Sequence, residues 1–295
     1  KKSVIDRART RVLAFLNIVG EGMRGGSYEQ NISDMDPKLT AFVAKSFPKD
    51  VVGIKLAHFE GHDWTPTDRA SEAGRQANIP VMVDFGGSNP PLAIQELFEQ
   101  HLRPGDIFTH CFGQLKTREA IVDTATKQVK SFVWEAQKKG LFFDVGYGGI
   151  SFSFSQAIPA VKSGFYPNSI STDLHTGSMN NAMKDQLTVM SKFLVMGMDL
   201  KSVIKAATVN PAQEIKRPEL GNLSVGSEAD IAILNLRQGR FGYFDYTGYK
   251  IEGDAKLECE MTIRAGKIVY DLNGIAYPLG AGAPPVKNQK KVSQF

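Results

Sequence analysis

Short apolar runs alternate with longer stretches of helical spacing from the start of the chain to about residue 215. The runs are "RVLAFLNIVG" (11–20), "VVGIKLAH" (51–58), "IPVMVDFG" (79–86), "DIFTHCFG" (106–113), "LFFDVGYG" (141–148) and "SISTDLHTG" (169–177). They end in polar or glycine residues, as strands do. Between them lie "TDRASEAGRQAN", "PLAIQELFEQHL", "REAIVDTATKQVKSFVWEAQKKG" and "NNAMKDQLTVMSKFLVMG", whose apolar residues mostly recur at three- and four-residue steps. Continuous apolar strands alternating with amphipathic helices predict a parallel sheet covered by helices. Six such units favour a (β/α) barrel over an open doubly wound sheet. After residue 220 the pattern changes: "GNLSVGSEADIAILNL" and "LECEMTIRAGKIVYDLNG" read as short alternating strands with glycine turns and no helix between them. This predicts a small β-part appended to the barrel. The division expected is a catalytic barrel over 1–218, a β-sandwich part over 219–278 and a mobile basic tail over 279–295.

In a parallel barrel the carboxyl ends of the strands form the active-site face. Several runs place an ionisable side chain near that end: Lys55, Asp84, His110 and Asp173, with His58, Asp144 and His175 close by. Each has a plain reading by itself. Lys55 could snorkel out of the strand end, Asp84 and Asp173 could cap turns, and His110 could be a core histidine bonded to a carbonyl. Converging on one mouth, however, they supply nitrogen and oxygen donors suited to a divalent metal.

Composition narrows the alternatives. The 295 residues carry 42% hydrophobic and 22% charged side chains with net charge +4, ordinary for a globular protein. The one basic cluster is the tail "PPVKNQKKVSQF", so a nucleic-acid partner is not expected. Cys111 and Cys259 give no disulfide framework. No run is long enough to span a bilayer, and none follows the GxGxxG or Walker pattern of a nucleotide loop. No membrane partner is therefore expected, and the compartment stays at a cytoplasmic default, because a leader could have preceded residue 1.

The segments "GIKLAH", "DIFTHCF", "SISTDLHTGSMNNAMKDQL", "ATVNPAQEI" and "LGNLSVGSEADIAIL" together resemble the amidohydrolase superfamily, in its dihydroorotase-like amidohydrolase/deacetylase branch. The resemblance runs from about residue 4 to about 277. It implies a (β/α)8 TIM barrel holding one or two divalent metals, usually zinc, with manganese possible. By the same resemblance Lys55 matches a lysine that is carboxylated by CO2 and bridges the metals. His110 matches a histidine ligand of the second metal, and Asp173 a ligand of the first that also serves as general acid/base. His58, His175 and Tyr147 sit where substrate contacts are expected.

Two departures accompany the resemblance. Asp84 stands where many members have histidine; it is expected as a ligand, with His58 as a substitute nitrogen donor. No His-x-His occurs, and the chain opens on what matches the helix before the third strand, so a barrel without the family's strands one and two is expected. The implied activity is hydrolysis of an amide, cyclic amide, lactone or ester in a small acyl substrate by metal-activated hydroxide. The rival expectation is a truncated, weakly active or non-catalytic barrel. Its open edges would pair with a second copy, so a homo-oligomer is expected. The substrate-facing loops, 21–34 and 147–156, offer no arginine clamp.

Overall fold

Five strands run parallel and in chain order, so the sheet is built by strand–helix–strand steps rather than by hairpins. The computed structural model describes residues 1–85 and 87–278. The strands are β1 (Ala14–Asn17), β2 (Val51–Phe59), β3 (Val81–Phe85), β4 (Ile107–Phe108) and β5 (Phe142–Phe143). Register places Asn17 beside Lys55, Lys55 beside Met82, Ala57 beside Asp84, Val83 beside Phe108 and Phe108 beside Phe143. The sheet is the arc of a TIM barrel, with its carboxyl ends at one mouth.

The helices that return the chain are α1 (Pro37–Ser46), α2 (Thr65–Ala77), α3 (Ile94–Glu96, followed by a wider turn over Leu97–His101), α4 (Ser131–Lys138), α5 (Phe154–Lys162), α6 (Gln186–Val195), α7 (Leu200–Ala206) and α8 (Val209–Glu214). Their ends follow side-chain chemistry. Asp36 caps α1 by accepting from the amides of Lys38 and Leu39, and α2 ends at Asn78, whose left-handed backbone stops the helix. Aromatic side chains fill the space between sheet and helices, with Phe98, Phe108, Phe143 and Phe165 meeting edge to face.

Three readings of the pattern are corrected. The run 169–177 is not a regular strand; it touches β5's continuation through one bridge, Asp144 to Ser169, followed by irregular backbone bonds from Tyr147 and Gly148 to Ser171 and Thr172. The stretch 118–140 is helical only over α4. Its first half is a turn closed by Asp123, whose side chain accepts from the amides of Ala125 and Thr126. The appended strands are longer than expected: β6 (Ile231–Phe244) and β7 (Lys250–Arg264) form one hairpin, with β8 (Lys267–Asp271) beyond it. They make a three-stranded antiparallel sheet in the order β6–β7–β8. The expected tail, 279–295, lies outside the described residues.

Sheet and barrel meet on α6. Lys192, 1% exposed, donates to Tyr147 Oη at 2.6 Å and to the carbonyls of Ala182 at 2.6 Å and Phe244 at 2.8 Å. Ser191 Oγ accepts from the amide of Leu257 in β7. Asp245, 2% exposed at the hairpin turn, accepts from the amide of Phe154 at the start of α5.

Candidate metal and active site

Three of the expected site residues share an unusual backbone. His58, His110 and Asp173 have φ of +55°, +59° and +48°. Left-handed non-glycine residues are uncommon and cost about 1 kcal/mol or more each, and they concentrate where function holds them in place. His58 is the last residue but one of β2, His110 follows the end of β4, and Asp173 follows the 169–172 segment bonded to residues 144–148.

Asp84, near the end of β3, is the centre of the arrangement. It is 3% exposed. His110 Nε2 lies 3.1 Å and His58 Nε2 3.5 Å from its Oδ2, while the guanidinium of Arg118 pairs with Oδ1. Burial alone would raise this carboxyl, but His110, Arg118 and Lys55 outweigh it and hold the group well below the usual carboxylate range.

Both imidazoles are held from behind. His110 Nδ1 meets the carbonyl of Gly146, which can only accept, so Nδ1 carries a proton and Nε2 faces the mouth. His58 Nδ1 lies 2.7 Å from Glu29 Oε2. This arrangement orients histidine ligands in metal sites.

Lys55, three residues before His58 on β2, keeps some exposure at the residue level. Desolvation of its ammonium nevertheless lowers its pKa, against the opposing pull of Asp84, Asp144 and Asp173. Asp144 is committed elsewhere: its carboxylate accepts from the hydroxyls of Thr109, Ser169 and Ser171 at 2.7–2.8 Å. It ties the ends of β4 and β5 to the 169–171 segment.

A cavity of about 840 Å³ opens over these groups. His58, Asp84, His110, Asp173 and His175 all line it. Asp173 is exposed there, its Oδ2 packed so closely over Gly148 that a Cβ at that position would come within 2.6 Å. Tyr147 and Lys55 are not among the lining residues. Tyr147 is 1% exposed, stacks on Phe152 and donates to the Phe244 carbonyl, so the substrate contact expected of it is replaced by a place in the joint between barrel and sheet. Arg118, outside the loops 21–34 and 147–156, also lines the cavity. The pattern had hidden it inside a supposed helix. Glu29, 1% exposed, was equally unmarked: nothing local distinguishes it from any loop carboxylate.

The donor chemistry fits a divalent ion, with two imidazole Nε2 atoms facing one carboxylate oxygen. Among the described residues, however, no three His, Cys, Asp or Glu side chains are gathered so as to hold a metal ion by themselves. Further donors would come from Lys55 and Asp173. Among the described residues no helix is long and apolar enough to cross a membrane.

A model of the amidohydrolase family matches residues 153–269. The chain is 35% identical over 245 residues to a deacetylase of Brucella anthropi, covering 80% of this chain and 59% of that protein. It is 31% identical over 273 residues to a deacetylase of Enterococcus faecalis, covering 90% and 72%. The crystal structure of an adenine deaminase superposes with a TM-score of 0.85 at 29% identity, over 92% of this chain and 74% of that one. The chain thus spans about three fifths of the Brucella relative and nearly three quarters of the Enterococcus one.

Proposed function

The chain belongs to the amidohydrolase family, and on that premise we propose that it hydrolyses an amide bond in a small acyl substrate at a divalent-metal site on the barrel mouth. The observation that carries this reading is the approach of His58 and His110 Nε2 to one oxygen of Asp84, beside Asp173 in the same cavity. Two deacetylase relatives support the bond type.

Asp84, His110, His58, Lys55 and Asp173 would hold the ion, zinc or manganese. When bound, the ion supplies Lewis acidity toward the scissile carbonyl and brings the pKa of a water toward neutrality. Asp173 is the residue placed to handle protons. Its carboxylate faces the cavity, where it takes a proton from the attacking water and returns it to the leaving nitrogen. His110 keeps Nε2 toward the mouth because Nδ1 is bound to Gly146. Desolvation increases the free-amine fraction of Lys55, the form that adds CO2 to become an anionic carbamate. Cyclic amides, lactones and simple esters present the same carbonyl chemistry and belong to the same substrate screen.

The test is metal content and hydrolysis of N-acyl amino acids, cyclic imides, lactones and aryl esters, before and after chelation and with zinc or manganese restored. Activity that depends on added metal supports the reading. Undiminished turnover by metal-free protein would sink it.

A non-catalytic reading is favoured by one feature, the guanidinium of Arg118 already paired with Asp84. Sub-stoichiometric metal in protein purified with zinc, together with no turnover, would select it.

A further inference from the structure

β2 does not keep the alternation of a regular strand. Lys55 interacts with the carboxylates Asp84, Asp144 and Asp173. Period-two alternation would therefore send His58, three residues on, to the opposite face. Instead the pairing with β3 passes from Ala57–Asp84 to Phe59–Phe85, and His58 is the extra residue at that irregularity, with φ +55°. A bulge re-aims a side chain. Here it turns the imidazole into the cavity, with Nε2 3.5 Å from Asp84 Oδ2.

The loop before α1 fixes this turn. Glu29 Oε2 lies 2.7 Å from His58 Nδ1, and its Oε1 is buried with no hydrogen-bond partner among the described residues. Gln30 donates to the His58 carbonyl at 2.7 Å and accepts from the amide of Glu60 at 2.9 Å, bracketing the bulge.

His58 Nε2 and His110 Nε2 thus face the same oxygen of Asp84, while their Nδ1 atoms are held from behind by Glu29 and by the Gly146 carbonyl. Zinc–ligand bonds of about 2.0–2.1 Å place tetrahedral donors about 3.3 Å apart. The observed 3.1 and 3.5 Å lie on either side of that figure.

Resting on the reading that this mouth holds a divalent ion, we propose that His58 is a metal ligand, brought inward by the β2 bulge, and that Glu29 is its positioning residue. The strand therefore contributes a donor from its bulge as well as Lys55 from its regular part.

The experiment measures zinc affinity by competition with a chromophoric chelator and records the visible spectrum of the cobalt(II)-loaded full chain, both in bicarbonate buffer. His58→Gln is expected to weaken binding at least tenfold and to shift the cobalt bands, which report ligand type. Glu29→Ala is expected to weaken binding by about 10- to 100-fold. Glu29→Gln, whose amide oxygen still accepts from Nδ1–H, should recover most of that loss, whereas Glu29→Met, of similar volume but without an acceptor for Nδ1–H, should not, as it would if Glu29 acted by packing alone. Circular dichroism identifies a variant that fails to fold, and His58→Asn then replaces His58→Gln. Wild type that binds metal while folded His58 variants match it in affinity and spectrum overturns the ligand assignment alone. Wild type that takes up no metal overturns the metal reading, and the assignment with it.

Discussion

The carbonyl oxygen of Gly146 lies 2.5 Å from Nδ1 of His110, and the glycine that presents it has no room for a side chain. A Cβ there would fall 2.2 Å from Thr109 Oγ1 and 2.7 Å from His110 Nδ1, on a backbone with φ of +45°. Gly146→Ala must therefore displace either the histidine or the loop. It should cost about 2 kcal/mol or more of stability and lower hydrolysis further than stability alone accounts for, because Nε2 loses its aim. Chemical denaturation, with kcat and KM measured well below the melting temperature, separates the two effects.

Lys192 makes the junction of barrel and sheet sensitive to pH. Burial lowers its pKa from 10.5 to about 7, against a smaller upward pull from Asp245. The unfolded lysine binds a proton up to about pH 10 and the folded one only to about 7. Between those values the unfolded chain holds more protons, so this residue makes stability rise with pH, by a few kcal/mol at most. Lys192→Met should flatten that rise between pH 7 and 9. It should also lower stability by about 2–4 kcal/mol, since the Ala182 and Phe244 carbonyls lose a donor. Urea titrations of both proteins across this range test it; parallel pH curves would refute it.

Much of the barrel was legible because its strands are apolar and its helices amphipathic; α6 lies inside a segment read as helical, and α2 covers most of another, beginning two residues before it. Asp84, His110 and Asp173 stood out because ionisable groups at strand ends are costly without a purpose. What stayed hidden depended on tertiary context. Arg118 sits in a stretch whose helical spacing is overridden by the Asp123 turn and by the bridge between Val122 and Val129. Gly239, Gly242 and Gly253 broke the strand signal of the long hairpin. Gly253 is there for contact, since a Cβ would fall 2.3 Å from Val195 of α6. Tyr147, placed near the mouth by sequence, is turned away because its hydroxyl serves Lys192 and Phe244.

Glu214, at the end of α8, has the opposite pH sign. Burial, with Asp144 adding to it, raises its pKa from 4.5 to about 8, and its Oε1 is buried without a partner among the described residues. The folded carboxyl keeps its proton up to about pH 8, whereas the unfolded one releases it near 4.5. Its contribution is fully present below pH 4.5 and is lost as pH rises toward 8. Glu214→Gln removes this dependence, so its advantage over wild type should grow from pH 5 to pH 8. Melting temperatures of the pair across that interval provide the check; a constant difference would refute the assignment.

The pairing of Arg118 with Asp84 makes a final prediction through linkage. The guanidinium neutralises a buried carboxylate that a divalent ion would also neutralise, so the two compete for the same charge. Arg118→Met should destabilise metal-free protein by about 3 kcal/mol, the order expected when one partner of a buried pair is removed. Added zinc should restore more stability to the variant than it adds to wild type, because a ligand stabilises in proportion to its affinity for the folded state. Thermal melts of both proteins over a zinc series measure this directly. If zinc raised the two melting temperatures equally, Arg118 and the ion would not share Asp84, and the ion would have to be held by the remaining donors alone.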